Sequence, residues 1–104
     1  MDMTQQSLDA FHSHACNAAE FLKAISHEGR LMILCYLATG EKSVSELEDL
    51  LSARQAAVSQ QLSRLRHEGL VTPRREGKTI YYRLTDDRTK RMLSLVYDMF
   101  CHTA

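Results

Sequence analysis

Three cysteines, Cys16, Cys35 and Cys101, and five histidines are the side chains of this chain best suited to chemistry. Thiolates attack electrophilic sulfur, form disulfides and bind metals. An odd number of cysteines argues against the disulfide framework of a secreted protein, so reactivity or simple burial must explain them. His12 and Cys16 stand four apart on one helical face with His14 adjacent. Cys101-His102 would join them if the first and last helices pack together at a dimer. Those residue types suit a tetrahedral zinc site, although histidines near a terminus are more often simply solvated. No nucleophile elbow, phosphate-binding glycine loop or metalloprotease pattern is present, so the chain reads as a non-enzyme without a resident cofactor.

A second set of side chains suits nucleic acid. Over residues 54–68 the outward face of a helix would carry Arg54, Gln55, Ser59, Gln60, Ser63 and Arg64. Glutamine pairs with adenine and arginine with guanine, and the N-terminal residues of such a helix reach deepest into a major groove. Arg54, Gln55, Ser59 and Gln60 are the expected base contacts and Arg64 a phosphate contact. Arg74, Arg75, Lys78 and Arg83 surround a predicted hairpin, where their charge would act on the backbone without reading sequence. The alternative is a solvated polar face, or a similar module that binds protein. Charge reversal at Arg54, Arg64 and Lys78 separates them, because only a DNA reader loses affinity and salt dependence.

The charge distribution supports this division. The net charge is zero, but residues 1–53 hold three basic and eight acidic side chains, whereas residues 54–91 hold ten basic and four acidic. Such asymmetry is expected when one segment faces phosphates and the rest folds and pairs with itself. At 104 residues, 44% hydrophobic and 25% charged, with one Pro and four Gly, the chain suits a single helix-rich domain over 1–104. The N-terminus lacks a basic region followed by an apolar run, and no apolar stretch is long enough to span a membrane, so a cytoplasmic location is expected.

The elements that position these groups follow from periodicity. Leu8, Phe11, Ala15, Ala18, Leu22 and Ile25 recur at helical spacing over about 5–25, and Ser26 is the expected cap of a second helix. Residues 30–37 are apolar all round, the pattern of a short buried helix ended by Gly40. Ser43 and Glu46 write a capping box for a third helix, and Ser52 is the expected cap of the fourth, which closes on Gly69. Two short helices joined this tightly make a helix-turn-helix. Residues 70–75 and 79–84 are β-prone around Gly77, which predicts a wing. Within it Tyr81 and Tyr82 should point to opposite faces. Asp86 or Asp87 starts a last helix with two apolar stripes, Leu93, Val96, Tyr97 and Phe100 against Met92, Leu95 and Met99. One stripe suits the chain's own core and the other, with the first helix, a second copy. The predicted fold is mainly α with a small β-hairpin, a winged helix-turn-helix dimerising through its first and last helices.

This order of elements, with Leu22-Lys23-Ala24-Ile25-Ser26-His27, Arg30-Leu31, Val58-Ser59-Gln60-Gln61-Leu62, Leu65-Arg66-His67-Glu68-Gly69-Leu70-Val71 and Gly77-Lys78 to Tyr82-Arg83-Leu84, resembles the ArsR family of dimeric repressors. The resemblance covers almost the whole chain. It implies binding to double-stranded operator DNA that weakens when an effector binds or a thiol is oxidised. One departure is Glu28-Gly29 after Ser26-His27, where many members carry proline. The family's metal sites are not matched. Residues 43–48 contain no cysteine, and after Asp87 the positions of the last-helix zinc site offer Thr89, Phe100 and Thr103.

What remains is Cys35 and Cys101, 66 residues apart. This pair is similar to the dithiol subgroup that senses persulfides and related reactive sulfur. The resemblance implies that a di- or polysulfide bridge forms between them within one subunit and releases the DNA. An inserted sulfur tolerates a wider gap than a direct disulfide, which would favour persulfide over peroxide. Cys16 does not match the pair and is treated as incidental. The competing reading is zinc sensing through His12, Cys16, Cys101 and His102.

Overall fold

The fourth helix shows how the pattern becomes a core. The computed structural model describes residues 5–52 and 55–101, with residues 55 and 56 described by backbone alone. In α4 (Gln55–His67) the side chains at i, i+4 and i+7, Val58, Leu62 and Leu65, are buried, while Ser59, Gln60, Ser63 and Arg64 between them are exposed. Around that stripe stand α1 (Gln5–Ile25), α2 (Glu28–Leu37), β1 (Lys42–Ser43), α3 (Val44–Leu51), β2 (Val71–Glu76), β3 (Thr79–Leu84) and α5 (Asp87–Phe100). Ala24 and Ile25 of α1, Ile33, Leu34 and Leu37 of α2, Leu47 of α3, Leu70, Val71 of β2 and Leu93 of α5 are buried with it in one core.

Local chemistry sets most element ends. Ser43 accepts the Glu46 amide at 3.1 Å, while the Ser43 amide donates to Glu46 Oε1 at 2.9 Å, so the predicted capping box is formed. Hydrogen bonding from the Ser43 amide, and then from the Ser43 side chain, holds the Glu46 carboxyl below its usual range. Asp86 caps α5 by accepting the Thr89 amide. Gly77 has φ +63° in a two-residue turn between Glu76 and Thr79, which pair directly. With positive φ at the first turn position only, this arrangement matches the right-handed twist of the strands it joins.

Three expectations are corrected. The cap of α2 is His27 rather than Ser26: His27 Nδ1 accepts the amides of Gly29 at 3.1 Å and Arg30 at 3.4 Å, so the ring proton belongs on Nε2. Ser26 instead donates its hydroxyl to the Lys23 carbonyl and closes α1. Ser52 is a left-handed C-cap of α3 (φ 51°), not the N-cap of α4; residues 53–54, between the two helices, lie outside the described residues. The all-apolar α2 is buried on one side only, because a ten-residue helix at the edge of a small core has a second face to spare. Met32 and Cys35 are exposed there.

The hairpin is part of a three-stranded antiparallel sheet in the order β1-β3-β2, with Lys42 opposite Tyr82 and Ser43 opposite Tyr81. A two-residue strand has no periodicity to read, and Ser43 doubles as a helix cap. The wing tyrosines diverge as alternation requires: Tyr82 packs against the core and Tyr81 lies beneath Arg74.

The first and last helices use little of their apolar surface. Of α1 only Ala24 and Ile25 are buried. On α5, Leu93 of one apolar stripe is buried and Met92 of the other packs partly against the core, whereas Tyr97 is 62% exposed and Phe100 78%. The two helices meet at Phe21, over which Arg88 stacks 4.8 Å from the ring centre. No helix among the described residues is long and apolar enough to cross a membrane.

Replacing Ser43 by Ala removes one arm of the capping box beside the sheet. Thermal or urea unfolding should show a loss of about 1 kcal/mol, and an unchanged midpoint would mean that the cap is dispensable.

Candidate nucleic-acid interface and dithiol

The core that buries Val58, Leu62 and Leu65 presents the opposite side of α4 to solvent. Ser59, Gln60, Ser63 and Arg64 are all exposed there; Arg64 makes only a surface ion pair with Glu68 at 3.2 Å, a contact of little energetic weight. Arg54 and the side chain of Gln55 lie outside the described residues. The wing approaches this face: Ser59 and Lys78 line one cleft of about 240 Å³, together with Ser45 and Glu48 of α3. Sequence patterning thus anticipates a shared surface, built from α4 and the hairpin tip, on which hydroxyl, amide and cationic groups stand together.

The wing cations differ in availability. Arg75 and Lys78 have no ion pair among the described residues. Arg74 donates from Nε and Nη2 to Glu41, at 2.6 Å for the shortest contact, and from Nη1 to Glu76 at 2.9 Å, while stacking on Tyr81 with 4.7 Å to the ring centre. The hydrogen bond from Arg74 is the main reason that the Glu41 carboxyl sits below its usual range, and hydrogen bonds to Glu41 and then Glu76 raise Arg74 above its own. Arg74 therefore ties the wing to the turn before β1, with its charge largely answered inside the molecule. Glu41 was not visible as a partner in the sequence because it is 33 residues away.

A second internal tie lies behind α4. Arg30 donates to the carbonyls of Ala24 at 2.6 Å and Lys23 at 3.4 Å, and to Gln61 Oε1 at 3.5 Å. One guanidinium thus joins the end of α1, the start of α2 and the inner edge of α4.

The thiols occupy the other side of α2. Cys35 opens into a groove between α2 and α5, where it shares the walls with Leu93, Ser94 and Tyr97. Partial burial pushes the Cys35 thiol above its ordinary pKa, and the charge of Cys101 pushes it further. Both cysteines keep exposed surface. Cys16 Sγ lies 3.7 Å from His12 Nε2 on α1. Among the described residues no third ligand completes a metal cluster, and His102 lies outside them.

The three-helix core, helix-turn-helix and hairpin define a winged-helix regulatory protein. Comparison with known proteins agrees. Residues 27–72 match the bacterial regulatory protein family arsR. The chain is 45% identical over 101 residues to the biofilm growth-associated repressor of Agrobacterium fabrum, covering 97% of this chain and 86% of the relative. The structure of reduced HlyU from Vibrio cholerae N16961 superposes with a TM-score of 0.85 at 39% identity, over 89% of this chain and 98% of that one. That of the transcriptional repressor BigR from Xylella fastidiosa gives 0.84 at 40%, over 97% and 100%. This chain belongs to the ArsR family, whose relatives named here are DNA-binding regulators of transcription rather than enzymes.

The different engagement of the wing cations makes a distinction that salt-dependent DNA binding can read. Arg75→Gln and Lys78→Gln should each lower the slope of log affinity against log salt by about one. Arg74→Gln should lower it by clearly less, since Glu41 and Glu76 already answer its charge; an equal loss would make Arg74 a phosphate contact.

Proposed function

We propose that this protein is a dimeric repressor that binds operator DNA in its reduced form and lets go when Cys35 and Cys101 become bridged by reactive sulfur. In this reading Arg54, Gln55, Ser59 and Gln60 address bases in the major groove, and Arg64, Arg75 and Lys78 address phosphates. Arg74 is carried with them as the residue that orients the wing. The sensing chemistry belongs to the reducing cytoplasm, where an unreacted dithiol persists.

The observation that carries the reading is the double role of α2. One side holds Cys35 over the groove toward α5, and another packs through Ile33 and Leu34 into the core shared with α4. A change at the thiols therefore acts on the element that seats the recognition helix. The named reduced state of the HlyU structure supports thiol chemistry in a protein of this fold. Dimerisation is supported by Leu8, Phe11 and Leu22 of α1 and Leu95, Met99 and Phe100 of α5, all exposed in the single chain. A surface this apolar is ordinarily covered, and an isologous two-fold contact covers it with the fewest parts.

The sulfur chemistry balances without an added oxidant. The Cys101 thiolate attacks the terminal sulfur of an organic persulfide, R–S–SH; the S–S bond breaks and the thiolate RS⁻ leaves. Cys35, as thiolate, then attacks the inner sulfur of the Cys101 persulfide and expels hydrosulfide, leaving a disulfide. If Cys35 has itself taken a sulfur, its outer sulfur attacks instead, and the product is a trisulfide with the same leaving group. The sulfane sulfur is reduced to hydrosulfide while the two thiols are oxidised, and the thiol protons go to the departing anions. Cys101 is written as the first nucleophile because it stands at the C-cap of α5, whereas Cys35 lies along the groove wall. The bridge pins α5 to α2 and favours an arrangement of the two recognition helices that no longer matches the operator.

Intact mass spectrometry after parallel exposure to an organic persulfide, peroxide, oxidised glutathione and zinc tests this. A Cys35–Cys101 crosslink, with or without extra sulfur, should form with persulfide and be absent from Cys35→Ser and Cys101→Ser. Unchanged thiols in persulfide, with zinc bound in the parallel sample, would transfer the sensing role to the His12–Cys16 pair.

A further inference from the structure

The groove beside Cys35 has a chemical character that the dithiol itself does not require. Its α5 wall is a single helical stripe: Lys90, Leu93, Ser94 and Tyr97 fall at i, i+3, i+4 and i+7, with Asp98 beside them. The volume is about 240 Å³, below the roughly 300–1,000 Å³ of most small-molecule sites, so it suits an occupant of amino-acid size. The middle is apolar, from Leu93 and the Tyr97 ring. Lys90 stands at one end without a salt bridge among the described residues, and Asp98 at the other, one turn before Cys101.

We infer that this groove receives a small organic persulfide bearing a carboxylate, which Lys90 holds so that the sulfane sulfur points along the groove toward Cys35 and Cys101. The inference rests on the dithiol reading above and names the class of effector which that dithiol takes. Lys90 and Cys101 lie eleven residues apart on α5, about 16 Å along the helix axis. A lysine side chain covers part of that length, and the short carbon body of an amino-acid persulfide covers the next part, which carries the reactive sulfur along the groove toward Cys101, the first nucleophile. The apolar wall accepts the methylene that carries the sulfur. Asp98 sets a negative charge at the sulfur end, so the carboxylate enters at the Lys90 end, where the lysine charge must outweigh Glu41, Asp86 and Asp87 of the adjoining cavity. The sulfur transfer is the one already described: a protein thiolate takes the terminal sulfur, and the carboxylate-bearing body leaves as its thiolate.

The test compares cysteine persulfide with cysteamine persulfide, which has the same body without the carboxylate. Bridge formation is timed by acid quenching and intact mass on the reduced full chain, on Lys90→Gln and on Arg91→Gln. Arg91 is an exposed cation of the same helix that lines the groove toward α1 instead. Lys90→Gln should slow the reaction with cysteine persulfide by about 1.4- to 5-fold, the range of a single exposed ion pair, and leave cysteamine persulfide unchanged. Arg91→Gln should alter neither. If Lys90→Gln slows both persulfides equally or slows neither, while the bridge still forms, the groove has no carboxylate site and the dithiol reading stands. If the unsubstituted protein forms no bridge with either persulfide, the dithiol reading fails and this one with it.

Discussion

The burial of Ile33, Leu34 and Leu37 along one side of α2 is the interaction on which the remaining structure depends. These three side chains share a core with Leu47 of α3, with Val58, Leu62 and Leu65 of α4, and with Leu93 of α5. Replacing one such leucine by alanine typically costs about 2–5 kcal/mol, which is a large share of the stability of a domain this small. The same constraint leaves Cys35 outside the core on the α5 side, since a short helix cannot bury its whole circumference against a single layer. The Cys35 groove and α4 therefore lie on two sides of one packed element, and Arg30 reinforces it by hydrogen bonding to α1 and to Gln61 of α4.

Electrostatics follow the same economy. The basic half of the chain is not uniformly available: Arg74 is spent on Glu41, Glu76 and the face of Tyr81, whereas Lys78 at the hairpin tip faces the cleft that it shares with Ser59. Of two neighbouring arginines, Arg74 thus ties the wing down while Arg75 has no ion pair among the described residues. Beyond this surface, α1 and the end of α5 project apolar side chains that the single chain leaves uncovered, with Arg88 over Phe21 joining the two helices at their base.

How much of this was legible in the sequence depended on how local its cause was. The helix-turn-helix, the capping box at Ser43 and the turn at Gly77 arise from residues a few positions apart, and periodicity or turn chemistry exposes them. His27 as the cap of α2 was hidden, because serine is the commoner capping residue and Ser26 stood next to it. The β1 strand, the Glu41–Arg74 tie and the neighbours of Cys35 on α5 all depend on contacts between residues far apart in the chain. Lys90 was readable only as one more cation of the basic segment, and Tyr97 only as part of an apolar stripe. The pairing of Cys101 with Cys35 had no signal of its own in composition or spacing; it was reached through family resemblance, and Cys101 then reappears as one of the causes that push the Cys35 thiol up.

The central claim is a coupling between the dithiol and DNA binding, and a coupling is a ratio of two affinities. The most direct measurement is operator affinity at one salt concentration for a single preparation divided into fully reduced and Cys35–Cys101 bridged protein. The account predicts that the bridged form binds about 5- to 150-fold more weakly, the range of ordinary allosteric coupling, and that reduction restores it. Equal affinity of the two forms would contradict it, because a bridge that does not discriminate between the free and DNA-bound arrangements cannot regulate either.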